Sequence, residues 1–166
     1  MGISTPGFVS QSVIGVNFAQ VDTTPTFTVG TVVNTNTGGQ AMYCQALSEI
    51  STYAAVSIYV DGTAQMITTT TAATTRRVGF AQTSIASAYY GWVHLSGTVI
   101  CNIAANCNQW NLLFTTATSG YLDDATVSNC LVAGVVMDSG ATSISNATAR
   151  TCIAGASFIS FFSNPA

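Results

Sequence analysis

Charge is what this sequence most lacks. Three arginines and six acidic residues are all the formal charges in 166 residues, and lysine is absent. A freely dispersed domain carries about a quarter of its residues charged, and that charge keeps it apart from its neighbours. Here charged residues make up 5% of the chain. A surface of Thr, Ser, Asn, Gln and Gly takes the place of that charge and tolerates close, lasting contact with other proteins. The scarcity of basic residues also excludes a nucleic-acid footprint, which needs clustered Lys and Arg. Only Arg76 and Arg77 are adjacent, and Arg150 stands alone. Histidine occurs once, at position 94.

Other absences narrow the classes further. Leu, Lys and Glu, the usual helix formers, are scarce. No window supplies the roughly 20 predominantly apolar residues of a membrane-spanning helix. The uncharged stretch from Val78 to Leu122 is interrupted by Gln82, His94, Asn102, Asn106, Asn108 and Gln109. The first residues, Met1 to Pro6, have neither the basic nor the apolar region of a secretion signal. Five cysteines (Cys44, Cys101, Cys107, Cys130 and Cys152) include no Cys-x-x-Cys pair. The odd count and the missing signal favour free thiols. One disulfide, Cys101 with Cys107, is the competing arrangement.

What remains is a β pattern. Thr and Val are abundant, and turn residues recur at short intervals. Strands are expected at Thr26–Asn34, Ala54–Val60, Ala64–Thr70, Arg77–Gln82, Trp92–Cys101, Asn111–Thr116, Asn129–Met137 and Thr151–Phe162. Asp61-Gly62 is the strongest hairpin signal. In the Trp92–Cys101 strand, Trp92, His94, Ser96, Thr98 and Ile100 share one face; Val93, Leu95, Gly97, Val99 and Cys101 share the other. Gly39–Thr52 is the one candidate for a short helix, and Ser84–Ala88 for a single turn. The expected fold is all-β: a small antiparallel sandwich or barrel of about eight strands. It divides into an extended N-terminal arm over residues 1–25 and a single β domain over 26–166.

Chemical constellations are sparse. His94 with Asp123 or Asp124 and a cysteine would be needed for nucleophilic catalysis, and no local pattern joins them. A zinc site needs three or four ligands, and one His with five unpatterned Cys does not supply them. Asp123-Asp124 lacks the further acids of a calcium loop and reads as a turn cap. No catalytic residue, metal, cofactor or small-molecule substrate is therefore expected.

Candidate contact residues are easier to name. In the arm, Phe8, Val13, Ile14, Val16 and Phe18 form an apolar set, to be covered either by the chain's own domain or by a neighbouring subunit. Arg76 and Arg77 suit an inter-subunit carboxylate through the forked guanidinium. Tyr89, Tyr90 and Trp92 are candidate interface anchors, with core packing as the alternative. His94 joins them on the Trp92 face.

The run Val78-Gly79-Phe80-Ala81-Gln82, the following Tyr89-Tyr90-Gly91-Trp92-Val93-His94-Leu95-Ser96-Gly97, the turn Gly120-Tyr121-Leu122-Asp123-Asp124-Ala125 and the strand Val132-Ala133-Gly134-Val135-Val136 have a shared cadence. Together, from about Arg77 to Val136, they resemble the head decoration (cement) proteins of tailed double-stranded DNA bacteriophages. The resemblance implies a small all-β, non-enzymatic virion protein, commonly a homotrimer. Such a protein sits on the outer surface of the capsid after assembly in the host cytoplasm and clamps adjacent major capsid proteins. A receptor- or glycan-binding knob of a phage fibre is the alternative, with Trp92 and Tyr90 as sugar-stacking residues. Neither reading involves nucleic acid or a membrane.

Overall fold

The computed structural model describes residues 15–36, 38–73, 77–125, 130–138 and 148–160, the last segment with its side chains from 149 to 155. Strand accounts for 49% and helix for 3%, so the chain is all-β. The strands are β1 (Val21–Asp22), β2 (Val32–Asn34), β3 (Gln40–Ala46), β4 (Ala55–Ile58), β5 (Thr63–Met66), β6 (Arg77–Ala81), β7 (Tyr90–His94), β8 (Gly97–Ile103), β9 (Leu112–Thr115), β10 (Tyr121–Asp123), β11 (Leu131–Met137) and β12 (Thr148–Ser160). One helical turn, α1 (Thr69–Ala72), follows β5.

These strands close into two five-stranded barrels, where the sequence pointed to one barrel or sandwich of about eight strands. The first barrel runs β7-β3-β5-β4-β6 and closes through β6–β7. The second runs β12-β11-β9-β10-β8 and closes through β8–β12. Pairing is antiparallel except at β3–β5 and β8–β10, which are short parallel contacts.

A five-stranded barrel has a narrow interior, because barrel diameter falls with strand number. The first barrel meets this limit with small residues. Ala46, Ala54, Ala64 and Ala81 fill it beside Met42, Cys44, Val56, Ile58 and Val93, and Ile50 and Ile85 come in from the loops. Gly79 and Gly91 are required by close approach. A Cβ on Gly79 would lie 2.4 Å from a Val93 methyl, and one on Gly91 would lie 2.8 Å from Ile85 Cδ1.

The second barrel buries larger groups: Val99, Cys101 and Ile103 of β8, Leu113 of β9, Leu122 of β10, Val135 and Met137 of β11, and Cys152 of β12. The same cluster takes in Ala55, Val78 and Phe80 from the outer face of the first barrel, and Ile67 and Ala72 from the segment that follows β5. The two barrels thus share one continuous apolar contact. Polar bonds fix their register. The Gln82 side-chain amide donates to Ile100 O at 3.0 Å and accepts from Ile100 N at 3.1 Å, imitating a strand partner. Asn102 N donates to Tyr53 O at 2.8 Å, and Ala55 N to Gly120 O at 3.0 Å.

The Asp61-Gly62 turn joins β4 to β5, with Ile58 opposite Ala64, as the sequence indicates. Three local expectations are corrected. The continuous strand from Trp92 to Cys101 is two strands, broken at Leu95 and Ser96. Gly97 has φ +97°, which carries the chain from one barrel into the other. The alternation survives the break, but Val93 faces the first core and Val99 the second. The Gly39–Thr52 segment is strand rather than helix over Gln40–Ala46; Ala41 through Cys44 are all buried, so no period-two pattern is visible. The Ala64–Thr70 strand ends at Met66, and Thr68 caps α1 by accepting from Thr71 N at 3.1 Å.

Candidate interaction surfaces

Of the contact residues expected from sequence, Phe8, Val13, Ile14 and Arg76 lie outside the described residues. The rest separate into two groups. Val16, Phe18, Tyr90, Trp92 and His94 converge on the outer face of β3 and β7, while Arg77 and Tyr89 stay at the surface.

The convergence is an aromatic cluster in which the chain covers itself. Trp92 is 1% exposed and Val16 is 5% exposed. Phe18 meets Trp92 edge-on at 5.7 Å, and Phe27 meets it at 5.2 Å. Tyr43, opposite Trp92 in the β3–β7 register, stacks on Tyr90 with rings 6.2 Å apart and 13° from parallel. Burying a tryptophan this fully is worth on the order of 4–6 kcal/mol by apolar area. Trp92 is therefore a core residue, which corrects its reading as an interface anchor and as a sugar-stacking residue. Covering the outer face from residues 16–33 is why sequence alternation alone misleads here: both faces of β3 and β7 are dry.

One polar contact fastens this cover. Tyr43 Oη donates to Asp22 Oδ2 at 2.5 Å and accepts from Thr26 N at 3.3 Å. The hydroxyl beside it holds the Asp22 carboxyl below the usual carboxylate range. Burial, then the bond to Asp22, pushes the Tyr43 phenol up to about 12. Two backbone pairings, Val21 with Gly91 and Asp22 with Tyr90, complete the attachment.

His94 sits among apolar neighbours. Its neighbours across the sheet are Ala41 and Phe80, Phe18 lies against it at 5.4 Å, and its Nδ1 has no hydrogen-bond partner. Arg77 donates from Nη1 to Met42 Sδ at 3.5 Å.

Asp123 and Asp124, read from sequence as a turn cap, close a loop with residues far back in the chain. Asp124 Oδ2 accepts from Asn108 N at 3.0 Å, Asn108 Nδ2 at 3.1 Å and Asn111 Nδ2 at 2.8 Å. Asp123 Oδ1 accepts from Asp124 N at 2.8 Å. The Cys107 thiol joins them, its sulfur and the two carboxylates lying within 4.8 Å of one another. Burial first, then the Asp124 charge, pushes that thiol up to about 12, so it stays protonated. This convergence joins positions up to 17 apart and was invisible in sequence. All five cysteines are free thiols, and Cys101 is not bonded to Cys107.

Val60, Leu47 and Val32 are exposed singly, whereas on the second barrel exposed apolar side chains line up in register. Leu112 of β9 stands opposite Val136 of β11, Val136 opposite Ile153 of β12, and Ile153 opposite Thr98 of β8. Partners in register point to the same side of a sheet, so these four form one row across four strands. Leu112 is 57% exposed and Ile153 is 44% exposed. Trp110, also 57% exposed, sits two residues before Leu112 at φ +67°, tied by its N–H to Met137 O at 3.2 Å. No member of the row is charged. Sequence reasoning passed over it because Leu112 and Leu113 are adjacent and look alike, yet only Leu113 points inward.

No protein-family model matches the chain, and no curated protein matches its sequence.

Proposed function

We propose that this protein is a non-enzymatic decoration protein of a tailed-phage head, which binds the outside of the shell and holds adjacent major capsid proteins together. The observation that carries the reading is the pairing of nine formal charges in 166 residues with an uncharged patch in which Trp110, Leu112 and Ile153 are exposed. A protein dispersed alone in water has reason to avoid both; one held among fixed neighbours does not. The resemblance from Arg77 to Val136 supports the same assignment. It includes the strand that carries Trp92 and the turn that carries Asp123 and Asp124. Assembly as a homotrimer belongs to this proposal, because several linked weak sites bind far more tightly than one. Among the sequence-named residues, Tyr89 and Arg77 remain available for such contacts.

Electron cryomicroscopy of intact particles tests the reading. The expected result is density for the two barrels in many copies on the outer shell, touching the major capsid protein. A few copies at a fibre tip would favour the receptor-binding alternative. Absence from the particle would overturn both.

A further inference from the structure

His94, the only histidine of the chain, occupies an unusual position in the self-covering aromatic cluster. It lies on the outer face of the first barrel, between Ala41 of β3 and Phe80 of β6, under the edge of Phe18. Its Nδ1 is buried and has no hydrogen-bond partner. Burial holds the imidazole below its ordinary value near 6.5. A proton added at Nδ1 would create a charged donor in a place that offers no acceptor, and a buried unpaired charge is costly.

Among the described residues, no compensating charge faces this site. From β3 come Ala41 and, two residues on, Tyr43, whose phenol stays protonated up to about 12. From β6 comes Phe80, from β7 itself Trp92, and from the N-terminal segment Phe18. The one acid in residues 1–36 is Asp22, which pairs with Tyr90, four residues back along β7, and is engaged by Tyr43. Residues 1–14 contain no ionisable side chain. Ala41, Phe80 and Trp92 belong to strands fixed by barrel closure, and the half-buried imidazole meets Phe18 on a segment held by two strand pairs, the Tyr43–Asp22 bond and the burial of Val16.

We propose that His94 is an acid-sensitive latch: its protonation expels Phe18 and frees residues 16–22 from the first barrel while both barrels stay folded. The sign follows from burial. The docked segment keeps the imidazole below 6.5 and release restores it, so release takes up a proton. Docking is at full strength above about pH 6.5 and weakens as pH falls through the docked value. Asp22 titrates only below the usual carboxylate range, so its loss is a separate, more acidic event. The latch does not depend on what the protein binds.

The two tryptophans make the test direct, because Trp110→Phe leaves Trp92, directly under Phe18, as the sole emitter. Its fluorescence is followed from pH 8 to pH 4.5, together with far-ultraviolet circular dichroism and the C2 proton resonance of the single histidine. The expected result is a red shift of Trp92 emission with an unchanged dichroism spectrum. Its midpoint lies below 6.5 and coincides with the histidine titration, and the shift is lost in His94→Gln. If His94→Gln does not fold, the coincidence of the two midpoints within about half a unit in Trp110→Phe decides alone. No red shift by pH 4.5, a shift that persists in His94→Gln, a histidine midpoint at or above 6.5, or loss of the dichroism signal with the shift would each overturn the latch.

Discussion

The two barrels have the same strand number and opposite treatments of their outer faces. The first is dressed. Val16, Phe18, Val33 and Phe27 fold back over Tyr43 and Trp92, and this tryptophan ends 1% exposed. The second is bare. Its β9-β11-β12-β8 face presents Leu112, Val136 and Ile153 with Trp110 beside them, and no described segment of the chain lies over Leu112 or Trp110, each 57% exposed. Among the described residues, the chain covers one apolar face with its own side chains and leaves the other open, and the proposed function gives that open face to a neighbour. The comparison also explains why composition is a better guide than pattern here. A low-charge surface serves both barrels, but alternation fails on the dressed barrel, where both sides of a strand are dry.

The sharpest test of the contrast is a pair of tryptophan truncations. Trp92→Ala is expected to cost about 3–5 kcal/mol in urea unfolding, because it empties the middle of a packed cluster. Trp110→Ala is expected to cost less than about 1 kcal/mol, as surface substitutions do. Equal losses would erase the distinction between a covered and an uncovered face.

A smaller effect probes the fastening of the cover. Tyr43→Phe removes the donor to Asp22 and is expected to cost about 1–3 kcal/mol near neutral pH, in the range for hydrogen bonds to charged groups. Because Tyr43 holds the Asp22 carboxyl below its free value, this advantage of the native protein is present above about pH 4 and fades as pH falls through the lowered value. At the alkaline end the sign reverses. The phenol is raised to about 12, so its contribution is complete below about pH 10 and is lost as pH rises through 12. Urea midpoints of the two proteins across pH 3 to 8 would show the gap closing only at the acidic end; a gap independent of pH would assign the loss to packing instead.

Much of the fold was legible, and the exceptions have physical causes. The all-β class follows from Thr, Val and scarce helix formers, and the β4–β5 hairpin from Asp61-Gly62. The alternation through Trp92 and Val93 correctly separates inward from outward positions. That the outward Trp92 is itself buried depends on Phe18 and Phe27, which lie far from it in sequence. The break at Gly97 is a single backbone angle within an otherwise strand-like run, and with it went the division into two barrels. β3 was hidden because Ala41, Met42, Tyr43 and Cys44 are apolar on both sides. The Asp124 clamp on Asn108 and Asn111 depends on loop closure, which spacing does not report. The exposed row required register: only pairing across β9, β11 and β12 sets Leu112, Val136 and Ile153 side by side.

On the proposed function, the bare, uncharged face of the second barrel holds this protein to a phage head. The most direct test is loading onto expanded heads lacking the protein, in 0.1 M and 1 M NaCl, by native protein and by the triple variant Trp110→Ser, Leu112→Ser, Ile153→Ser. The account predicts that native protein sediments with heads at both salt concentrations, since few ion pairs are there to be screened, and that the triple variant stays in the supernatant with its urea midpoint nearly unchanged. Wholesale release of native protein at 1 M, or normal loading of the triple variant, would contradict it.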